Sequence, residues 1–399
     1  MGRLGSLVLF IAILIGVIGG LHYYLWARLV RDTRLPAPWN TIALGVLLAL
    51  GAAIPTAMFV GRLYPALRRF LVWPAYTWIG VMFLLFITLL GGDILRALRW
   101  SGSKLVGSGD VVDAGRRTLV ARILGARFLG AWALGLSGGL ALLGMRSALG
   151  PVEVRRVRVQ LSRLPRERHG TRIVQLTDMH VGPTRGRAFV EEIVRRTNEL
   201  SADIVAITGD LVDGSVKDLR DAVAPLANLR ARFGVFFVTG NHEYFSGAED
   251  WSQELKRIGL RVLHNERVSI GEGSAAFDLA GVDDYSAQRY GGVSHSQALA
   301  RAVAGRDPQR ELILLAHQPR SIVLGEPLGV GLQLSGHTHG GQMWPFNYLV
   351  RLQQPFVAGL FQHGRSQIYV SRGTGYWGPP MRLGVPPEIT HVTLESGSA

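Results

Sequence analysis

The chain of 399 residues shows a different pattern of hydrophobic positions in each half. Up to about residue 150, long uncharged apolar runs follow one another. From about residue 171, short β-branched runs end in polar groups and alternate with segments of helical character. Runs of about 20 apolar residues suit membrane-crossing helices, whereas short β-branched runs suit buried strands. The pattern therefore predicts an all-α membrane region at residues 1–150 and an α/β domain at residues 171–399.

Four apolar runs in the first half are long enough, or nearly so, to cross a bilayer: residues 4–26, 35–61, 70–92 and 128–145. The fourth run is rich in glycine and alanine, so it is either a span or a helix packed inside a bundle. No small-x-small cleavage site follows the first run, and we expect an uncleaved span there. The sequence thus predicts a multi-pass integral membrane protein with a bundle of about four transmembrane helices.

The basic excess of the chain belongs to the membrane half. Residues 1–150 carry 15 basic and 4 acidic side chains, and the remaining 249 residues carry 28 and 25. Arginine beside apolar runs anchors them at the membrane surface, so the expected partner of this charge is the lipid bilayer and not nucleic acid. The basic residues near span ends, eight on one side and ten on the other, are too evenly divided to orient the chain. That count and the absence of cysteine together favour an extracytoplasmic catalytic domain.

Residues 151–170 are rich in arginine and lack a long apolar run. We interpret them as a basic juxtamembrane linker. The linker either touches anionic lipid headgroups or is simply solvated.

Five short runs in the second half predict buried strands at residues 172–178, 203–210, 234–241, 311–317 and 331–337. Helices are expected at residues 188–200 and 216–229, between the first three strands. Further strands near residues 261–270, 277–282, 367–371 and 389–394 indicate a second sheet. The predicted architecture is a two-sheet sandwich flanked by helices.

Each of the five strands is followed by side chains that suit metal binding: Asp178 and His180; Asp210 and Asp213; Asn241 and His242; His317; His337 and His339. The carboxyl ends of parallel strands are where α/β sheets present functional groups. The mixture of imidazole and carboxylate suits two divalent cations, Mn, Fe, Zn or Ni, that share a bridging carboxylate. A hydroxide bridging the two metals would then attack phosphorus in line.

The ordered motifs D-x-H, G-D-x-x-D, G-N-H-E, a single histidine and G-H-T-H resemble those of the calcineurin-like metallophosphoesterases. The resemblance covers about residues 171–394 and implies a four-layer αββα sandwich that carries a two-metal site. The GHTHGGQ form and the segment SRGTGYWGPPMRLGVPPEITHVTL resemble the bacterial membrane-associated phosphodiesterase branch. The multi-span N-terminal region is similar to that of transmembrane proteins with a metallophosphoesterase domain.

The resemblance also implies a role for each motif residue. Asp178, His180 and His339 would bind the first metal, with Asp210 bridging, and the second metal would be completed by three further ligands, Asn241, His317 and His337. His242 would contact the substrate phosphate or protonate the leaving oxygen, and Asp213 would orient it through a carboxylate–imidazole pair.

Three further residues allow two interpretations each. Arg372 and Arg382 either bind the substrate phosphate or are ordinary surface arginines. Glu243 either caps the helix that follows it or acts in catalysis, and we favour the cap.

The expected function is that of a membrane-anchored, metal-dependent phosphoric ester hydrolase acting on phosphodiester or diphosphate bonds. Its location favours lipid or cell-envelope substrates. Two alternatives stay open, a phosphomonoesterase of the same fold and a non-catalytic membrane module that binds a phosphorylated ligand. The sequence does not indicate the oligomeric state.

Overall fold

The computed structural model describes residues 3–105 and 114–397. By their internal contacts these residues divide into a unit built on the chain up to Gly144 and a unit built on the chain from Met145 onward. We describe each unit by itself.

The first unit consists of long helices. Helix α1 (Arg3–Trp26) continues into a π-helical turn at Ala27–Arg31, and three more helices follow: α2 (Trp39–Leu63), α3 (Pro65–Leu105) and α4 (Ala114–Leu149). Among the described residues, three segments are long and apolar enough to cross a membrane: Trp39–Met58, Leu67–Leu98 and Ile123–Leu149. They overlap the second, third and fourth predicted spans. Helix α1 coincides with the first predicted span, but several of its side chains lie outside the described residues, so that span stays a prediction.

Two helices extend well beyond the apolar runs that predicted them. Helix α3 continues past residue 92 to Leu105, and α4 is already helical from Ala114. Charged residues end an apolar run without ending a helix, because arginine and lysine are good helix formers. Asp93, just past the third run, is 2.9 Å from Arg28 and accepts a 2.6 Å hydrogen bond from the Tyr24 hydroxyl. A carboxylate next to an apolar span is thus paired within the bundle.

The second unit contains two six-stranded sheets. In spatial order, the first comprises β1 (Glu153–Leu161), β12 (Glu388–Ser396), β2 (Arg172–Leu176), β3 (Ile204–Thr208), β4 (Val235–Val238) and β5 (Arg261–Val262). The second comprises β10 (Gly359–His363), β11 (Ser366–Val370), β9 (Leu332–Ser335), β8 (Leu312–Leu315), β7 (Phe277–Gly281) and β6 (Glu266–Ile270). Strands β2 to β5 are mutually parallel, as are β7, β8, β9 and β11. Their carboxyl ends therefore present the loops that carry the predicted site.

Helices cover the outer face of each sheet. Helices α5 (Arg187–Glu199), α6 (Val216–Val223) and α8 (Ala248–Arg257) pack on the first sheet through buried residues such as Ile193, Leu219 and Trp251. Helices α9 (His295–Val303) and α10 (Ile322–Gly325) cover the second sheet. Between the sheets lies a continuous apolar layer that includes Ile173, Phe236, Leu279, Ile313 and Leu394. These layers confirm the predicted αββα architecture, and burial of their apolar area stabilises it.

The predicted juxtamembrane linker contains an edge strand, which corrects the sequence interpretation. Residues 153–161 form β1, which pairs in parallel with β12. Val159 and Leu161 are buried, whereas Arg155, Arg156 and Arg158 are exposed. Because arginines occupy the exposed positions of this half-buried strand, its few apolar positions did not form a recognisable apolar run. On an edge strand, exposed positive charges also discourage pairing with another chain.

Candidate metal and catalytic site

The site is built from loops held in unusual backbone conformations at the strand ends. Two main-chain hydrogen bonds join the loop after β2 to the loop after β3. The N–H of Asp178 donates to the Gly209 carbonyl (3.0 Å), and the N–H of His180 donates to the Asp210 carbonyl (3.1 Å). Nine non-glycine residues in the described ranges have positive φ, and five of them are predicted metal ligands: Asp178, His180, Asp210, His337 and His339. Such conformations are costly for residues other than glycine and concentrate at functional sites.

The first ligand group consists of Asp178, His180 and His339, all buried. The Nε2 atoms of the two histidines lie 3.0 Å apart, and His339 Nε2 is 3.5 Å from Asp178 Oδ1. The Asp178 carboxylate is fixed by the N–H of His337, which lies 3.0 Å from both of its oxygens. A Cβ on Gly336 would overlap Asp178 Oδ2, so glycine is required at that position for the close approach.

The second ligand group consists of Asp210, His317 and His337. Asp210 Oδ2 is 3.1 Å from His317 Nε2, and His317 Nε2 is 3.2 Å from His337 Nδ1. The same Asp210 oxygen is 3.9 Å from His180 Nε2 of the first group. A single carboxylate oxygen thus faces both groups of histidine nitrogens.

This donor set fits divalent metal ions. Asn241 Oδ1 is buried and has no hydrogen-bond partner among the described residues, as expected of an oxygen that binds a metal ion. Burial, His180 and Arg382 hold the pKa of His339 well below its usual value, so its imidazole is neutral. Burial alone would raise the pKa of Asp210, but the facing imidazoles of His317 and His242 hold it well below its usual value. Neutral imidazole and ionised carboxylate are the forms that bind metals.

Asp213 pairs with two histidines. Its Oδ1 atom is 3.0 Å from His180 Nδ1 and 2.6 Å from His242 Nδ1. Both histidines then carry a proton on Nδ1, which leaves Nε2 of His180 free for metal binding. Burial lowers the pKa of His242, but the Asp210 carboxylate and the hydrogen bond to Asp213 outweigh it and raise that pKa to about 9. A protonated His242 is the form that can donate a proton.

Glu243 is fully buried and accepts hydrogen bonds from main-chain N–H groups. Its donors are the amides of Gly240 (2.6 Å), Asp210 (2.9 Å), Leu211 (2.8 Å) and Val212 (3.3 Å). It therefore caps helix α7 (Asn241–Ser246) and also holds the loop after β3 that presents Asp210. The cap agrees with the favoured structural role, but Glu243 lies inside the helix that it caps and not before it. The second contact was not foreseen, because it joins residues more than 30 positions apart.

Two of the arginines near the site are enclosed by the protein. Arg382 is 1% exposed, donates to the Gly375 carbonyl (2.8 Å) and places Nη2 3.0 Å from His339 Nδ1. Arg185, which the sequence did not single out, packs over the Tyr376 ring and is also buried. Arg372 is 24% exposed at its side chain, with Nε 3.5 Å from Glu388 Oε2. Phosphate binding by Arg372 and Arg382 stays a prediction, and the enclosure of Arg382 favours a supporting role.

The comparisons with known proteins agree with this geometry. The calcineurin-like phosphoesterase family model matches residues 171–341. The transmembrane protein with metallophosphoesterase domain of Bos taurus is 36% identical over 395 residues, which cover 94% of this chain and 86% of that protein. An uncharacterized metallophosphoesterase of Helicobacter pylori is 40% identical over 262 residues, or 64% of this chain and 68% of that one.

A solved structure also resembles the chain, though weakly. A dimetal phosphatase from Danio rerio is 12% identical and covers 51% of this chain and 88% of its own, with a TM-score of 0.35, which is too low to add to the assignment. The assignment stands on the sequence relatives, of which the bovine protein is matched over nearly its whole length. The chain therefore belongs to the calcineurin-like metallophosphoesterase family.

Proposed function

We propose that the chain is a membrane-anchored phosphoesterase that hydrolyses phosphodiester or diphosphate bonds at a site for two divalent cations, drawn from Mn, Fe, Zn or Ni. The observation that carries the proposal is Asp210 Oδ2, which lies 3.1 Å from His317 Nε2 and 3.9 Å from His180 Nε2. One carboxylate oxygen placed between two histidine groups is the arrangement that a bridging ligand requires. Asp178 and His339 would complete the first site, and Asn241 and His337 the second.

Two metals bound at these ligands would acidify a water molecule and neutralise the charge of the substrate phosphate. The protein's own contribution to the reaction is the His242–Asp213 pair. In hydrolysis, the attacking water loses a proton to solvent as its oxygen forms a bond to phosphorus, the bond from phosphorus to the leaving oxygen breaks, and the leaving oxygen takes a proton from an acid that solvent later recharges. His242 Nε2 supplies it while Asp213 holds Nδ1 and stabilises the charged ring. Glu243 holds the loop that presents Asp210.

The preference for diesters rests on the resemblance to membrane-associated phosphodiesterases. An alkoxide leaves poorly unless it is protonated, from diesters and monoesters alike, and the raised pKa of His242 supports its role as the acid in that step. The preference for lipid or envelope substrates rests on membrane attachment, which keeps the domain near such molecules.

We also propose a multi-pass topology with the catalytic domain on the extracytoplasmic side. The three apolar helices and the bovine relative's name support membrane attachment. The chain contains no cysteine, so a single Lys256→Cys variant on the exposed side of α8 would report the side without background. Labelling of intact cells by a membrane-impermeant maleimide is expected, and labelling only after lysis would place the domain inside.

The experiment that tests the function compares the wild-type protein with Asp210→Ala in detergent. Bound metal and hydrolysis of a chromogenic phosphodiester are measured on the same preparations, each supplied with Mn, Zn, Fe or Ni. We expect two metals and turnover in the wild type, with both lost or sharply reduced in the variant. Glu254→Ala, which removes a buried carboxylate on α8, controls for general damage. Turnover of monoesters alone would favour a phosphomonoesterase, and metal without any turnover would favour a binding module.

A further inference from the structure

Two exposed aromatic rings flank the proposed leaving-group acid. The ring of Phe245 lies 5.4 Å from that of His242 and is 62% exposed, and the ring of Trp377 lies 5.6 Å from it and is 54% exposed. The side-chain amide of Gln342 holds the main chain of Trp377 in place. Its Nε2 donates to the Trp377 carbonyl (2.9 Å), and its Oε1 accepts from the Trp377 backbone N–H (2.9 Å). The side of the site from which a leaving group departs is thus apolar and open to solvent.

Further exposed apolar side chains occur in the chain that directly follows Gln342. Within the next ten residues, five large apolar side chains are exposed: Trp344 (59%), Phe346 (46%), Tyr348 (57%), Leu349 (56%) and Leu352 (84%). We call these five residues, together with Phe245 and Trp377, the apolar rim. Single exposed apolar side chains are ordinary, but five of them within nine consecutive residues, joined by hydrogen bonds of Gln342 to one of the two aromatic residues beside His242, indicate a contact surface.

The charge of the stretch that carries six of these seven residues indicates what they contact. No aspartate or glutamate occurs between Glu326 and Glu388, a stretch that contains most of the apolar rim as well as Arg351 and Arg365. Exposed tryptophan and tyrosine mixed with leucine and arginine are typical of segments at the interface of an anionic membrane. The same chain carries helices long and apolar enough to cross a bilayer, which supports a membrane as the contacting surface.

We propose that the apolar rim rests on the bilayer surface and receives the aliphatic part of a lipid phosphoester, so that the phosphate enters the site beside His242. The inference rests on the proposed function and narrows its substrate class to membrane lipids. Phe245 and Trp377 would contact the part of the lipid nearest to phosphorus. Leu349 and Leu352 would contact the hydrocarbon of the bilayer.

Membrane contact is tested by fluorescence on the full chain, which has no cysteine of its own. Leu352→Cys carries an environment-sensitive label, and the protein is reconstituted into vesicles of phosphatidylcholine and phosphatidylglycerol with and without nitroxide-labelled lipid. Val323→Cys, at an apolar position that is 51% exposed outside the rim, is the matched control. We expect strong quenching at position 352 and little at 323. Equal quenching at both positions, or a label at 352 that is shielded by protein and insensitive to nitroxide lipid, overturns the proposal.

Substrate delivery is tested with two diesters that release an alcohol, methyl hexadecyl phosphate in vesicles, from which hexadecanol is measured, and dimethyl phosphate in solution, from which methanol is measured. We expect the double variant Leu349→Ser/Leu352→Ser to lower the ratio of hexadecyl to methyl hydrolysis by about tenfold or more. The control Val323→Ser/Leu324→Ser removes two exposed apolar side chains from α10 and leaves the ratio unchanged.

The outcomes separate this inference from the proposed function. Wild-type protein that cleaves neither diester refutes the proposed function, and the lipid substrate with it. Wild-type protein that cleaves both diesters, with a ratio that the rim variant does not change, refutes the lipid inference alone.

Discussion

The two ligand groups of the site are supported in different ways. In the first group, charged or polar side chains stand behind the ligands. Asp213 is 3.0 Å from His180 Nδ1, the Arg382 guanidinium is 3.0 Å from His339 Nδ1, and the Thr177 hydroxyl donates to Asp178 (2.8 Å). In the second group the support reaches the ligands through the main chain, whereas in the first group a main-chain N–H, that of His337, bonds to the Asp178 carboxylate in addition to these side chains. The Thr208 carbonyl accepts from His317 Nδ1 (2.8 Å), and Glu243 acts on backbone amides around Asp210.

This difference indicates which group can be altered by single substitutions. A side chain behind a ligand can be replaced without moving the backbone, and such partners typically change metal affinity or activity by about 10- to 100-fold. A main-chain carbonyl that accepts a hydrogen bond from a ligand cannot be removed by substitution. It changes position only if the loop that carries it moves. We therefore expect the first group to be separable from the second by mutation, and the second to depend on the shape of its loop.

The largest expected effect separates the groups directly. Asp178→Asn weakens only the first group and is expected to leave one metal bound, whereas Asp210→Asn removes the shared ligand and is expected to empty both sites. Turnover should fall below detection in both variants. Elemental analysis of the purified proteins measures the difference. If Asp178→Asn also loses both metals, the two groups act as one unit and the contrast between them is wrong.

A large loss of turnover is expected for Asp213→Asn. One oxygen of Asp213 contacts both His180, a predicted metal ligand, and His242, the predicted acid. Misorienting His242 removes acid catalysis, which contributes about 10²- to 10⁴-fold. Steady-state turnover of a phosphodiester that releases an alkoxide is the measurement, because such a leaving group needs the acid. The control is Asp283→Asn, since Asp283 makes a similar 2.9 Å pair with His264 outside the ligand groups. Similar losses in the two variants would indicate that Asp213 acts only through stability.

A smaller effect is expected when the loop of the second group is loosened. Glu243→Gln places an amide NH₂ among N–H donors, so turnover should fall by about 10- to 100-fold. Stability should fall by about 1–3 kcal/mol, because buried amides lose their acceptor. Thermal unfolding of the full chain in detergent and turnover are measured together. Glu254→Gln on α8, also buried, should lower stability without this loss of turnover, and an equal loss there would argue against a specific effect on Asp210.

Much of the fold could be predicted from the sequence, because its strands are short apolar runs with clear ends. Strands β2, β3, β4, β8 and β9 lie where the pattern predicted them. Strand β1 was missed because arginines fill its exposed face, and two helices of the first unit, α3 and α4, proved longer than their apolar runs. Hydrophobic pattern reports which positions are buried, so it fails where an element is mostly exposed.

The residues of the candidate site could be predicted from the sequence, but the contacts that support them could not. Residues at strand ends converge because parallel strands end at one edge, and the structure brings Asp178, Asp210 and the predicted histidines together there. The contacts behind them were not foreseen. Asp213 reaches His180 as well as His242, Glu243 reaches amides more than 30 positions away, and Arg382 is enclosed beside His339. Such contacts depend on how distant loops pack, which spacing along the chain does not encode.

The smallest expected effect tests the support behind His339. Arg382→Met removes the guanidinium but keeps a long side chain, and we expect metal affinity to weaken by about tenfold in the first group alone, because His339 loses its packing partner. Metal titration of the apoprotein measures both affinities, and the second should be unchanged. Arg163→Met, which removes an arginine paired with Glu311 at 3.0 Å elsewhere in the domain, is the control. Equal weakening of both metal affinities in Arg382→Met would mean that the two groups share their support, contrary to the contrast drawn between them.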